Sequence, residues 1–260
     1  MRRILVGFLV TATLAFSQSG IGTPHAGILR DAGGRLRAVW GIRGNFFLGP
    51  SWMEGAFAAS YSGSFAIIKN DKGVFVFDRG MGLVASQPSQ GSGALFAFAP
   101  DGAPFAAYVP ETGEMYRWLG TSFEALAWPR SKLKGAPLAI AAADSDAIVI
   151  VVERDDTVWM VKHALDTGRV LFESMLPGVS SPVYLSPDGT LVYARRESSE
   201  LVVLWCGRIE QRLPYSGAVS AFEQIGRQWI RVIRDAESIG LALRLEQGQA
   251  ALYQLPGGVE

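Results

Sequence analysis

The sequence predicts an all-β chain, folded as a single β-propeller of about six blades, each a four-stranded antiparallel meander. Three observations carry this reading. Past residue 50, short β-branched and aromatic runs alternate with Gly, Asp and Pro, and no segment holds a 3.6-residue period. Two turns are near copies, Phe98-Ala99-Pro100-Asp101-Gly102 and Leu185-Ser186-Pro187-Asp188-Gly189, each between apolar strands. Weaker copies at Tyr61-Ser62-Gly63, Asp144-Ser145-Asp146 and Gln224-Ile225-Gly226 complete a series ending at 63, 102, 146, 189 and 226. The resulting spacings are 39, 44, 43 and 37, a period in the range of propeller blades.

The chain opens with Arg2 and Arg3, an apolar run from Ile4 to Phe16, and small residues at Ala15 and Ser17. Thirteen apolar residues fall short of the roughly 18 needed to span a bilayer, so residues 1–17 read as a signal peptide cleaved near Ser17. A secreted or periplasmic location is therefore expected. Residues 18–26 read as a flexible N-terminus and 27–256 as the propeller domain. After cleavage 243 residues remain, about 40 for each of six blades. No later apolar run is long enough to span a bilayer.

Full blades are expected to begin near residues 55, 92, 136, 179 and 218. Pro, Asp and Gly suit their first hairpins: Pro fixes φ, Asp bonds the turn backbone, and Gly takes the left-handed position. Runs such as Val74-Phe75-Val76-Phe77 and Ile148-Val149-Ile150-Val151-Val152 supply the next strands. Trp118, Trp159 and Trp205 fall in third strands, where packing between blades is their expected role. Residues 28–39 resemble His163–Leu171, a third-to-fourth-strand hairpin, so 27–50 read as the outer half of a partial first blade. Leu252-Tyr253-Gln254-Leu255 is the candidate for completing that blade and closing its edge. Five or seven blades would keep the class and change the count.

The Pro-Asp-Gly turns at 100–102 and 187–189, with their flanking apolar strands, resemble the WD40-like and YVTN-like repeats of exported bacterial β-propellers. The resemblance spans nearly all of 27–255 at repeat level. It implies a binding platform, since most such propellers are platforms.

Composition excludes several chemistries. Lys+Arg and Asp+Glu both total 24, so no net charge draws the chain to nucleic acid or anionic lipid. With one Cys and two His, disulfide frameworks and multi-His metal sites are ruled out, and no cofactor is expected. Cys206, inside a strand-like run, reads as a small buried hydrophobe. His25 falls in the flexible N-terminus, and His163 reads as a packing or solvent-facing residue. A hydrolytic triad therefore lacks a serviceable base. Asp144/Asp146 and Asp155-Asp156 read as turn formers rather than acid/base pairs. The first strands, including Ala94-Leu95-Phe96-Ala97 and Leu138-Ala139-Ile140-Ala141, are apolar where an active site needs ionisable groups.

One pattern exceeds background. The second-to-third-strand loops near 69–72, 110–114, 153–156, 195–200 and 234–238 are two-thirds charged, against 18% for the chain. Blade topology puts all five on one face. Lys69, Arg154, Arg195, Arg196 and Arg234 are its candidate binding cations, suited to carboxylates on a partner. The expectation is a monomeric, non-catalytic platform for a protein or small ligand through one loop face. The alternative is a propeller hydrolase or lyase with an unrecognised site in the central channel.

Overall fold

A computed structural model describes residues 25–42, 44–128, 133–195, 199–205, 209–234, 240–246 and 248–256. Among them every regular element is a strand, and the strands form six antiparallel sheets. Residues 1–24, on which the expected signal peptide falls, Arg196 and Cys206 lie outside the described residues.

The first sheet has three strands, β1 (His25–Arg30), β2 (Leu36–Ile42) and β3 (Asn45–Met53). Five four-stranded meanders follow. The second blade holds β4 (Ala58–Tyr61), β5 (Phe65–Lys69), β6 (Gly73–Asp78) and β7 (Leu83–Pro88). The third holds β8 (Leu95–Phe98), β9 (Pro104–Val109), β10 (Glu114–Trp118) and β11 (Phe123–Leu126). The fourth holds β12 (Ala136–Asp144), β13 (Ala147–Arg154), β14 (Thr157–Ala164) and β15 (Val170–Met175). The fifth holds β16 (Val183–Leu185), β17 (Leu191–Arg195), β18 (Glu200–Trp205) and β19 (Ile209–Pro214). The sixth holds β20 (Val219–Gly226), β21 (Trp229–Arg234), β22 (Leu241–Glu246) and β23 (Gln249–Gln254). The full blades begin within about four residues of the expected positions, a match that rests on the turn period.

Six apolar clusters fill the six seams between neighbouring sheets. Successive residues of a strand point to opposite seams. Ile148, Ile150 and Val152 of β13 pack toward the third blade, and Val151 packs toward the fifth. Strands with both faces buried in this way read as unbroken apolar runs. Trp118, Trp159 and Trp205 do lie in third strands and pack into these seams.

Among the described residues the first sheet has no channel strand. The described wall of the channel is formed by β4, β8, β12, β16 and β20, with β1 set back against β4 and β20, which themselves touch. The Gly34 carbonyl in the β1–β2 turn accepts the Ala56 amide of the segment entering β4, at 2.9 Å. That contact sets the β1–β2 turn on the face that carries the second-to-third loops. β1, β2 and β3 thus hold second, third and fourth positions, one strand more than the outer half expected. The expected completion by Leu252–Leu255 does not occur: β23 pairs with β22 as the fourth strand of the sixth blade. Ring closure rests on side chains instead, with Leu29, Val39 and Phe46 packed on Ile225, Ala242 and Leu255.

Candidate functional site

Three places on the disc can bear function: the channel, the second-to-third-loop face and the opposite, hairpin face.

The channel encloses about 200 Å³ and is lined mainly by Ala, Leu, Phe, Ile and Val from the five first strands. Its ionisable groups among the described residues are Glu223 and Tyr184. Glu223 accepts Nε and Nη2 of Arg30 at 3.1 and 2.9 Å, and Arg231 Nη1 lies 3.5 Å from its other oxygen. Burial, with Asp188 nearby, pushes the Tyr184 phenol well above its ordinary pKa, so it stays protonated. A carboxylate held by two guanidinia and a protonated phenol provide no general base. Among the described residues no three His, Cys, Asp or Glu side chains converge as a metal site.

On the second-to-third-loop face the charges are present, but several cations serve the blades themselves. Lys69 is 0% exposed, which corrects its expected place on an open binding face. Its ammonium donates to the carbonyls of Asn70 at 2.6 Å, Gly91 at 2.7 Å and Ser89 at 3.3 Å, and stands 5.7 Å from the Phe57 ring centre. Burial depresses its pKa, with Glu111, Asp71 and Glu114 opposing. Arg154 donates Nε to the Lys134 carbonyl and Nη1 to Glu173, with its guanidinium 5.6 Å from the Trp159 ring centre. Arg234 donates to the Ser216 carbonyl at 2.8 Å and to Ser216 Oγ at 3.2 Å.

Arg154 and Arg234 each end a second strand and bind the segment entering their own blade. In the fifth blade a serine does this work, Ser180 Oγ donating to the Ala194 carbonyl at 2.8 Å, and the neighbouring Arg195 is half-buried. Arg154 and Arg234 are the last residues of their strands, as Arg195 is of β17, a position from which a side chain can reach the neighbouring linker.

Of the two Asp pairs, Asp155-Asp156 forms a turn as expected, whereas in the other Asp146 stands in the turn and Asp144 is the last residue of β12. Asp155 and Asp156 both take left-handed backbone, φ 46° and 58°, between β13 and β14. Asp144 pairs with Lys162 at 2.5 Å. His163 is 1% exposed, with Nδ1 3.0 Å from the Gly168 carbonyl and its ring 5.1 Å from that of Trp128. It is a packing residue rather than a solvent-facing one.

The hairpin face carries two adjoining hollows that sequence reasoning missed. One, of about 320 Å³, lies over the first turns of the third, fifth and sixth blades, with Asp188, Trp205 and Glu246 in its wall. The other, of about 410 Å³, sits over the seam between the first sheet and its two neighbours. His25, Tyr61, Arg79, Arg227, Gln228 and Trp229 line it, and the last three also border the first hollow. His25 belongs to β1 rather than to a flexible leader, a correction to the expected 18–26 boundary. Its ring packs 4.8 Å from Trp40 and 5.4 Å from Tyr61, with Nδ1 3.4 Å from the Tyr61 hydroxyl. Burial depresses the His25 pKa, with the Gly27 backbone opposing and Arg79 adding to the depression. These residues come from β1, β4, the β6–β7 loop, the β20–β21 turn and the start of β21, and only the closed ring assembles them.

No protein-family profile and no curated protein matches the chain. Among solved structures it is similar to hydrazine synthase of Kuenenia stuttgartiensis, with 14% identity over 92% of this chain and 80% of that one, TM-score 0.46. Virginiamycin B lyase of Staphylococcus aureus shares 10% identity over 90% and 85%, TM-score 0.47. A functionally unknown protein from Desulfotomaculum acetoxidans shares 15% over 88% and 78%, TM-score 0.49. At these identities and scores none of the three carries a functional argument, and the β-propeller rests on the strand topology.

Proposed function

We propose that the chain is an exported, non-catalytic β-propeller, of the repeat type found in exported bacterial proteins, that binds a protein or small ligand through one loop face. The observation that carries this reading is a contrast in chemistry. The channel is apolar and its one carboxylate among the described residues, Glu223, is already held by Arg30 and Arg231, whereas the hairpin face opens hollows edged by exposed Arg79, Arg227 and Gln228. Enzymes need ionisable groups with unspent capacity where strands converge, and platforms need polar groups open on a face. The hairpin face is favoured over the second-to-third-loop face because Lys69, Arg154 and Arg234 are engaged within the blades.

The test is affinity capture from an envelope extract with the protein beginning at residue 18, followed by mass spectrometry of everything retained. A stoichiometric partner or bound small molecule is expected, and clean recovery of the propeller alone would overturn the reading. N-terminal sequencing of native protein tests export separately: a start near residue 18 is expected, and an intact Met1 would remove the exported part of the proposal.

A further inference from the structure

We infer, resting on the binding reading above, that the hollow over the ring-closing seam is a site for a small ligand bearing an oxyanion, a carboxylate or a phosphate, held between Arg79 and Arg227. Four observations lead there. The hollow, about 410 Å³, is of the size that takes a small molecule rather than a single ion or water. Two guanidinia from different blades line it, and no carboxylate does among the described residues.

Both guanidinia are exposed, and neither has a carboxylate partner among the described residues. Elsewhere on the molecule Arg30, Arg154, Arg231 and Arg244 each hold a Glu. Exposed Arg side chains are common. Two lining one hollow whose described wall holds no carboxylate offer donors suited to the acceptor oxygens of a carboxylate or phosphate.

The remaining wall supports the same ligand. Trp229 offers an indole surface, fixed by edge contacts to Phe46 at 5.1 Å and Tyr253 at 5.4 Å, against which an apolar body can lie. Gln228 adds an exposed amide able to donate to an oxygen. The Tyr61 hydroxyl is committed to the Gly63 carbonyl at 2.9 Å, so it shapes the floor without competing for the ligand.

The experiment is titration calorimetry of the protein beginning at residue 18 with inorganic phosphate and, separately, with citrate, each against sodium chloride at matched ionic strength. Saturable binding of at least one is expected, and which of the two binds separates a phosphate source from a carboxylate source. In the double variant Arg79→Ala, Arg227→Ala the affinity should fall on the order of 30-fold or more, since two charge-assisted contacts are removed. Both residues are exposed, so the variant should melt as wild type; if it does not, Arg227→Gln alone supplies the same comparison. Absence of saturable binding to both anions, or equal binding by the variant, would overturn the inference. Partner capture separates this failure from failure of the platform reading. A partner retained by wild type and variant alike, with no anion bound, sinks the oxyanion site alone; nothing retained by either sinks the platform.

Discussion

Arg30 and Glu223, 193 residues apart, meet across the closing seam, with Arg30 Nε and Nη2 sharing Oε1 of Glu223 at 3.1 and 2.9 Å. Arg231 reaches the other oxygen at 3.5 Å and also donates to the Arg30 carbonyl. The cluster ties β1 to β20 and β21, the place where a propeller without strand exchange is open to parting. Glu223→Ala leaves two half-buried guanidinia facing each other and should cost about 2–3 kcal/mol. A double-mutant cycle with Arg30→Ala, followed by urea unfolding, should give a coupling of about 1–2 kcal/mol. Additive losses would mean that the pair does not fasten the ring.

Backbone proximity at the same seam is stricter still. A Cβ on Gly27 would lie 1.7 Å from the Ile225 carbonyl oxygen, and one on Gly226 would lie 2.4 Å from the Ala26 carbonyl oxygen. Both obstacles are backbone, so neither can swing aside. Gly27→Ala should therefore destabilise by roughly 3 kcal/mol or more, by forcing β1 off β20. Gly93→Ala, where nothing lies within 4 Å of the new methyl, is the control and should melt within a degree or two of wild type. Equal melting of the two variants would show that the first sheet does not need this approach.

The blades were legible in the sequence because each one closes its own hairpins: Pro100-Asp101-Gly102 and Pro187-Asp188-Gly189 mark turns whose geometry is set within five residues. The first sheet was legible only as a fragment. That none of its described strands reaches the channel goes with β4 and β20 touching, a contact between segments far apart in sequence. Leu252–Leu255 carried a strand signal, but pattern alone does not say which neighbour a strand pairs with, and β22 was the nearer one. The charged loops were correctly placed, while the commitment of Lys69 to three carbonyls depends on where the linker to the third blade passes. The hairpin-face hollow left no sequence signal. Its residues come one or two at a time from separate elements and converge only through ring closure.

The two Pro-Asp-Gly turns look alike in sequence and both expose their Asp, but their flanking residues differ in burial. Asp188 accepts Ser186 Oγ and the Thr190 amide, the latter at 2.9 Å, in a turn whose Ser186 and Thr190 are buried. Asp101 accepts the Ala103 amide at 2.9 Å on an exposed turn. Burial raises the Asp188 pKa, but the Ser186 and Thr190 bonds outweigh it and leave the group below its ordinary value. Asp188→Ala should cost about 1–2 kcal/mol near neutral pH and Asp101→Ala within about 0.5 kcal/mol. Because the folded pKa is depressed, the advantage of Asp188 exists above its unfolded pKa and vanishes as pH falls through the folded one. The gap between the two variants should accordingly close in acid, as followed by thermal melts.

His25 makes a prediction at milder pH. Its folded pKa lies below the ordinary value of about 6.5, first through burial and then through Arg79, so the unfolded chain takes up a proton that the folded one refuses. Stability should be unaffected by this group above about pH 6.5 and fall as pH drops from there toward the folded pKa. Arg79 and Tyr61 are the charged and titratable groups facing it, and burial pushes the Tyr61 phenol further up, away from this range. His25→Phe should flatten the loss between pH 7 and 5, measured in a buffer free of phosphate and carboxylates. An unchanged slope would assign the acid sensitivity to other groups.

The cations of the second-to-third-loop face separate into structural and dispensable ones. Lys69→Ala leaves the carbonyls of Asn70, Ser89 and Gly91 without their donor and should cost roughly 2–4 kcal/mol. Arg154→Ala loses the bond to Lys134 and the Glu173 pair and should cost about 1 kcal/mol, because that pair lies near the surface. Arg195→Ala, at a half-buried strand end, should stay within about 0.5 kcal/mol. If recognition belongs to the hairpin face, the double variant Arg154→Ala, Arg195→Ala retains its captured partner at low salt, whereas Arg79→Ala, Arg227→Ala loses it. The reverse result, with a loss that shrinks as salt screens the wild-type contacts, would return recognition to the charged loops. It would also leave the seam hollow as a ligand pocket independent of the partner.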